Sequence, residues 1–189
     1  DGYTLLLIAG SYTVNPSLYK LSWDSASDIT PIVQLSQGPF VLVVHPSVPA
    51  RNLNEFIELA RKQPDRFSFA TAGSGSVTHL AGRLRALAVS TDKRIGAAPE
   101  VPTAQEAGLP GYEVVLWHGL VAPRGLPKVI LDRLNAAANE ALKGRDTTDL
   151  LASDGVVPAG GTSAQFSALI KTDIERWRKV VQRANVRVE

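Results

Sequence analysis

The sequence predicts an α/β fold, because short apolar segments typical of buried strands alternate along the chain with amphipathic helical segments. The chain has 189 residues, of which 44% are hydrophobic and 20% are charged. Such a composition is typical of globular proteins, and the length suits one domain or two small lobes. The apolar runs are too short to span a bilayer, so we expect no direct membrane insertion.

Five apolar segments are predicted to form strands. The first, residues 3–9, is a continuous apolar run that ends at Gly10. A run of this kind is typical of a buried strand in a largely parallel sheet. The other predicted strands are residues 40–45, 67–70, 84–89 and 112–120.

Three further segments have helical periodicity. Asn52 is predicted to cap the first helix, with Glu55 three residues later as in a capping box. Pro127 suits the first turn of the second helix, which Gly144 ends. Ser163 is the predicted cap of the third helix, whose apolar stripe indicates core packing. The residues of this stripe are Phe166, Leu169, Ile170, Ile174, Trp177, Val181 and Ala184.

Charge and cysteine content exclude several classes of function. The 20 Lys and Arg residues barely outnumber the 18 Asp and Glu residues, and they form no dense basic stripe, so no nucleic-acid binding is predicted. The chain has no cysteine, which excludes disulfides and thiolate chemistry. His45, His79 and His118 lack the spacing of metal ligands, and we expect neither a metal nor a cofactor.

A loop rich in glycine and serine, residues 71–79 (TAGSGSVTH), is the best local indication of a binding site. It follows a predicted strand and precedes a helix-like stretch. The loop can bind an anion without a cationic side chain, because its amides, its hydroxyls and the helix N-terminus all stabilise negative charge. The alternative is a plain turn between a strand and a helix. The loop lacks the third glycine of dinucleotide motifs and the lysine of a P-loop.

Ser76 and His79 in this loop raise the alternative of a hydrolase. They are three positions apart, and residues at this spacing lie on the same face of a helix. A nucleophilic serine also needs an orienting acid and an oxyanion hole, and the G-x-S-x-G motif is absent. A structural role for His79 is the favoured interpretation, and we predict that the protein is not an enzyme.

A second candidate loop, residues 9–15, follows the first predicted strand. Ligands of open α/β sheets bind beyond the carboxyl ends of the strands. Ser11 and Thr13 are therefore predicted to donate hydrogen bonds to an anion, with Tyr12 as a wall of the site. A turn without any ligand role is the alternative.

Seven stretches of the chain together carry a resemblance to a known family. They are 1–7 (DGYTLLL), 15–19 (NPSLY), 42–50 (LVVHPSVPA), 70–82 (ATAGSGSVTHLAG), 84–89 (LRALAV), 101–113 (VPTAQEAGLPGYE) and 117–125 (WHGLVAPRG). In this order they resemble the Bug-type periplasmic solute-binding proteins of tripartite tricarboxylate transporters, over essentially the whole chain. The stretch 101–113 is the most specific of them.

The resemblance implies a two-lobed periplasmic-binding-protein (Venus flytrap) fold and a periplasmic location. Residues 1–38 are expected to form part of lobe 1, residues 39–110 part of lobe 2, and residues 111–189 to return to lobe 1 with the C-terminal helices. The implied partners are a small carboxylate (a di- or tricarboxylate, an acidic amino acid or an aromatic acid) and membrane transporter subunits. The implied ligand-binding residues are Ser11, Tyr12, Thr13, Thr71, Ala72, Gly73, Gly75, Ser76 and His79.

The chain departs from the family pattern at two places. The resemblance implies an N-terminal segment before the DGYTLLL stretch and an internal segment between Gly82 and Arg83 that this sequence does not contain. Either the sequence omits residues of a whole receptor, or the polypeptide is a deletion product. The alternative function is therefore a truncated receptor that acts as a signalling or protein-interaction module without transport. Strand edges left without neighbours are expected to favour dimerisation or swapping.

Overall fold

The computed structural model describes residues 2–63 and 84–186. The strands are β1 Leu6–Ala9, β2 Ile29–Pro39, β3 Val41–Val44, β4 Arg85–Val89, β5 Val115–Pro123 and β6 Val157–Gly160. The helices are α1 Asn15–Leu18, α2 Leu53–Lys62, α3 Lys128–Ala141, α4 Arg145–Ser153 and α5 Ser163–Ala184, and a 3₁₀ turn spans Gly10–Thr13. Among these described helices, none combines the length and the apolar character needed to cross a membrane.

The chain divides into two compact units. The first contains Asp1–Gln37, Trp117–Asp149 and Val157–Glu189, and the second contains Gly38–Leu116 and Leu150–Val156.

The first unit is built on a four-stranded sheet in the order β1-β5-β2-β6. Strand β1 pairs antiparallel with β5, so that Leu6 lies opposite Val121 and Ala9 lies opposite His118. Strands β2 and β6 are also antiparallel, with Gln37 opposite Val157.

Helices cover both faces of this sheet, because successive side chains of a strand point to opposite faces. Trp117 and Val121 of β5 pack with the α5 residues Phe166 and Ile170, together with Ile8 and Tyr12. The intervening β5 residues Leu120 and Ala122 pack with the α3 residues Leu131, Leu134 and Ala138. The prediction that the α5 stripe forms core is therefore confirmed for Phe166 and Ile170.

The position and pairing of β1 differ from the prediction. The structure places it at an edge of the sheet, antiparallel to its neighbour, with Leu6 and Leu7 55% and 60% exposed. The prediction of a buried strand in a parallel sheet is wrong here, because an apolar run encodes burial without encoding the direction or the number of its neighbours.

Helix caps follow the predicted chemistry with one shift of position. Asn52 caps α2 by accepting a hydrogen bond from the Glu55 amide at 2.9 Å, as predicted. For α5 the cap is Thr162, which forms a capping box with Gln165. The hydroxyl of Ser163, the predicted cap, instead donates to the carbonyl of Pro31 at 2.6 Å.

The second unit contains the two-stranded antiparallel sheet of β3 and β4, with Val41 opposite Val89. Leu53 of α2 packs on Ala88 of β4 and on Ala104. The predicted strands at 40–45, 84–89 and 112–120 thus correspond to β3, β4 and β5, whereas the strand predicted at 67–70 lies outside the described residues.

In this unit the stretch 101–113 contains a turn held by Thr103 and Glu106. The Thr103 hydroxyl accepts from the Glu106 amide at 3.1 Å, and the Glu106 carboxylate accepts from the Thr103 amide at 2.8 Å. This reciprocal pair has the form of a capping box. The hydrogen bond from the Thr103 amide, together with the Arg94 side chain 2.8 Å away, holds the pKa of Glu106 below its ordinary value. The Thr103 hydroxyl and the Glu106 carboxylate therefore both hold the shape of the turn.

Candidate functional site

The Gly10–Thr13 turn is the part of the predicted binding site that the structure describes. It begins directly where β1 ends, as the sequence predicted. Ser11 is exposed, whereas Tyr12 and Thr13 are 9% and 0% exposed. The first amides of a 3₁₀ turn have no carbonyl partner within the turn itself.

The two buried hydroxyls of the turn are occupied in holding its shape. The Thr13 hydroxyl donates to the Gly10 carbonyl at 2.6 Å, and the Tyr12 hydroxyl donates to the Ser25 carbonyl at 2.9 Å. The Tyr12 ring also packs on Trp23, with 5.4 Å between the ring centroids. In this arrangement Ser11 presents the exposed hydroxyl, while Tyr12 and Thr13 fix the backbone around it.

Burial changes the titration of Tyr12. It raises the pKa of Tyr12 from 10.0 to about 12, because the phenolate would lose its hydration. Ser25 opposes this shift, whereas the carboxylates of Asp24 and Asp28 add to it by repulsion. Tyr12 therefore stays protonated and keeps its hydrogen bond throughout the neutral pH range.

We expect the free energy of unfolding to fall as the pH rises from 10 to 12, in part because of Tyr12. In this window the unfolded chain releases the Tyr12 proton, whereas the folded chain retains it, so deprotonation favours unfolding. Urea denaturation at pH 9 and pH 11 should show a smaller loss for Tyr12→Phe than for the wild type. Tyr112→Phe, at an exposed tyrosine, should retain the wild-type loss. An equal loss in all three proteins would contradict the assignment.

Beneath the turn lies the indole of Trp117. A Cβ atom built on Gly10 would be 3.5 Å from Nε1, 3.7 Å from Cε2 and 3.8 Å from Cδ1 of this ring. The indole Nε1 donates a hydrogen bond of 2.7 Å to Oδ2 of Asp173 on α5. Trp117 also meets Phe166 edge to face, with 5.5 Å between centroids. The start of the turn therefore rests on a ring that is fixed from two sides.

Asp173 was not among the residues predicted from the sequence. Its signal was nevertheless present: it lies three residues after Ile170 and seven after Phe166, on the apolar stripe of α5. A carboxylate at such a position needs a buried donor. The sequence does not reveal that this donor is Trp117, because 56 residues separate the two.

The other predicted site residues, Thr71, Ala72, Gly73, Gly75, Ser76 and His79, lie outside the described part of the chain. The two described histidines each contact a serine. His118 Nδ1 is 3.0 Å from Ser36 Oγ, and His45 Nδ1 is 2.7 Å from Ser47 Oγ. Within residues 2–63 and 84–186, no group of three or more His, Asp or Glu side chains could hold a metal ion.

Comparison with known proteins identifies relatives over nearly the whole chain. The sequence profile of the tripartite tricarboxylate transporter family receptor, TctC, matches residues 1–82 and 80–186. A protein from Pseudomonas sp. (strain P51), described as a UPF0065 protein in the tcbD-tcbE intergenic region, is 31% identical over 96% of this chain and 69% of its own length.

Three solved structures are similar to the protein. An R. palustris protein solved with adipate is 26% identical, with a TM-score of 0.83, over 99% of this chain and 79% of its own. MatC from Rhodopseudomonas palustris with bound malate is 26% identical, with a TM-score of 0.80, over 96% and 80%. The periplasmic binding protein BugD is 23% identical, with a TM-score of 0.82, over 100% and 80%. The predicted periplasmic-binding-protein fold is confirmed.

The matches also bear on the predicted internal departure. The two matched pieces of the family profile meet at residues 80–82, next to the junction between Gly82 and Arg83. The alignment with the Pseudomonas relative covers 231 positions, more than the 189 residues of this chain, so part of the aligned relative has no counterpart here. The family is one of solute-binding receptors and not of enzymes. From its sequence and its fold, the chain belongs to the TctC (Bug-type) family of tripartite tricarboxylate transporter receptors.

Proposed function

We propose that the protein is a receptor for a small carboxylate in the periplasm, from which it delivers the ligand to the membrane subunits of a tripartite tricarboxylate transporter. One observation carries the proposal: two structures that resemble nearly the whole chain contain dicarboxylates, adipate and malate. The family of the chain supports the pairing with a transporter.

The Gly10–Thr13 turn supports this proposal chemically. It combines an exposed hydroxyl at Ser11 with backbone amides at the start of a 3₁₀ turn. Donors of this kind stabilise a carboxylate, and because Tyr12 and Thr13 hold them in place, little ordering is needed when the ligand binds. The proposed ligand-binding residues are Ser11, Tyr12 and Thr13, together with Thr71, Ala72, Gly73, Gly75, Ser76 and His79.

We propose that the protein has the two lobes of the family's receptors. In this assignment residues 1–38 and 111–189 contribute to lobe 1 and residues 39–110 to lobe 2. Closure of the lobes would be the signal that the membrane subunits recognise.

Carboxylates should stabilise the purified chain against heat. A ligand at one hundred times its dissociation constant adds about 2.7 kcal/mol to the free energy of unfolding. Thermal denaturation with adipate, malate and further di- and tricarboxylates would measure this gain, with adipamide as the neutral control for adipate. Stabilisation by adipate and not by adipamide is the expected result. If no carboxylate raises the melting temperature, the proposal is wrong.

Ser11→Ala should weaken the affinity for the best carboxylate by about tenfold or more, because a hydrogen bond to a charged group is lost. Isothermal titration calorimetry would measure the change. Ser22→Ala, at another exposed serine of the same unit, is the matched control and should bind as the wild type does. Equal affinities for both variants would remove Ser11 from the site, while stabilisation by carboxylates would still support the receptor function.

A further inference from the structure

Asp173 is a buried carboxylate of the first unit, in a helix position that otherwise carries apolar residues. It is only 6% exposed, on the α5 face that also carries Phe166 and Ile170. Its nearest described cation, Nη1 of Arg176, lies 3.8 Å from Oδ1. Buried charges cost desolvation energy, and apolar residues of similar size often stabilise a core as well or better. A contribution to stability alone therefore does not explain why a carboxylate occupies this place.

The hydrogen bond that Asp173 accepts leads to the Gly10–Thr13 turn. Asp173 Oδ2 accepts from Trp117 Nε1 at 2.7 Å, and the same edge of the indole lies against Gly10, where a Cβ would be 3.5 Å from Nε1. The acceptor and the first residue of the turn thus meet one edge of one ring. Tyr12, two residues further on, packs in the same apolar cluster as Trp117.

We propose that Asp173 is a positioning residue for the Gly10–Thr13 turn and acts through the indole of Trp117. Without its acceptor the buried N–H would lack a partner, and the ring would relieve this cost by moving away from Gly10. With the acceptor in place, the orientation of the indole ring is fixed before a ligand binds. The start of the turn, which lies against the ring, is fixed with it. The ligand part of this proposal rests on the proposed function.

The charge of Asp173 is not what the turn requires. A negative carboxylate near a site for carboxylates repels the ligand, so its benefit must come from its geometry as an acceptor. Asp173→Asn retains an oxygen that can accept from the indole and removes the charge, whereas Asp173→Leu retains the approximate volume and removes the acceptor. This pair of variants separates positioning from charge.

The first measurement needs no ligand. Amide hydrogen exchange of residues 10–14, compared with that of β2 in the same unit, should be about tenfold faster in Asp173→Leu and unchanged in Asp173→Asn. The control is Leu134→Ala, which opens the opposite face of the sheet and should affect β2 at least as much as the turn. The NMR resonance of the Trp117 indole proton, assigned with Trp117→Phe, should move in Asp173→Leu and stay close to its position in Leu134→Ala.

The second measurement uses adipate. Calorimetry should give an affinity about tenfold lower for Asp173→Leu than for Asp173→Asn, since the donors of the turn are no longer ordered in advance. If Asp173→Leu does not fold, Trp117→Phe removes the donor instead of the acceptor and is read by the same exchange measurement. Unchanged exchange of residues 10–14 in the folded variant overturns the proposal. Faster exchange in a protein that binds no carboxylate would leave the positioning role intact and refute the proposed function.

Discussion

Replacing Gly119 with alanine should destabilise the first unit by about 3 kcal/mol, at the upper end of what overpacking of a core costs. A Cβ atom at this position of β5 would overlap Cζ of Phe166 and would lie 2.6 and 2.7 Å from its Cε1 and Cε2. The Phe166 ring cannot easily retreat, because it is 1% exposed and meets Trp117 edge to face. Urea denaturation would measure the loss.

Gly10→Ala is the matched control for this variant. The added Cβ would lie at ordinary van der Waals distance from Trp117, with 3.5 Å to the nearest atom, so we expect a change below about 1 kcal/mol. Phe166→Leu in the Gly119→Ala background should recover part of the stability, because a smaller side chain frees the overlapped space. Equal stability of the two alanine variants would show that Phe166 does not pack on Gly119.

This contact also shows how far the sequence predicts the fold. The apolar stripe of α5 indicated that Phe166 and Ile170 belong to the core, since helical periodicity is a local property. The stripe does not reveal that Phe166 needs a glycine opposite it, because Gly119 lies on a strand distant in sequence. Periodicity predicts which face of an element is buried. It does not predict which residues that face packs against, because those contacts depend on the tertiary structure.

Sequence reasoning missed strands β2 and β6 and helices α1 and α4. Strand β6, Val157–Gly160, is four residues long and contains a proline and a glycine. Helix α4, Arg145–Ser153, is nine residues long and has no buried residue. Their place is determined by neighbours instead: Gln34 of β2, for example, lies opposite Gly160.

The sequence predicted a turn after the first strand, but not how the side chains of that turn are arranged. A polar turn after an apolar strand indicated residues 9–15. The predicted roles gave Ser11 and Thr13 the same task, because both carry a hydroxyl. In the structure Ser11 is exposed and the Thr13 hydroxyl is bonded to the Gly10 carbonyl, a difference that depends on how the chain turns. Their roles toward a ligand remain predictions.

Trp117→Phe and Asp173→Leu should not have additive effects on stability. Trp117→Phe should cost about 3 kcal/mol, because it removes volume from the core and leaves the buried carboxylate without its donor. Asp173→Leu alone leaves the indole N–H without an acceptor. In the double variant neither partner is left unsatisfied. Its loss should therefore be smaller than the sum of the single losses by about 1.5–3 kcal/mol, the contribution of a hydrogen bond to a charged group.

Urea denaturation of the four proteins at pH 7 would measure this coupling free energy. Trp23→Phe is the matched control, because Trp23 is partly exposed and packs on Tyr12 without a described contact to Asp173. Its effect should add to that of Asp173→Leu within about 0.5 kcal/mol. Additivity of the Trp117 and Asp173 effects would mean that the hydrogen bond contributes little energy. The indole would then be held by packing against Phe166 alone, and Asp173 would have no means of fixing the turn that begins at Gly10.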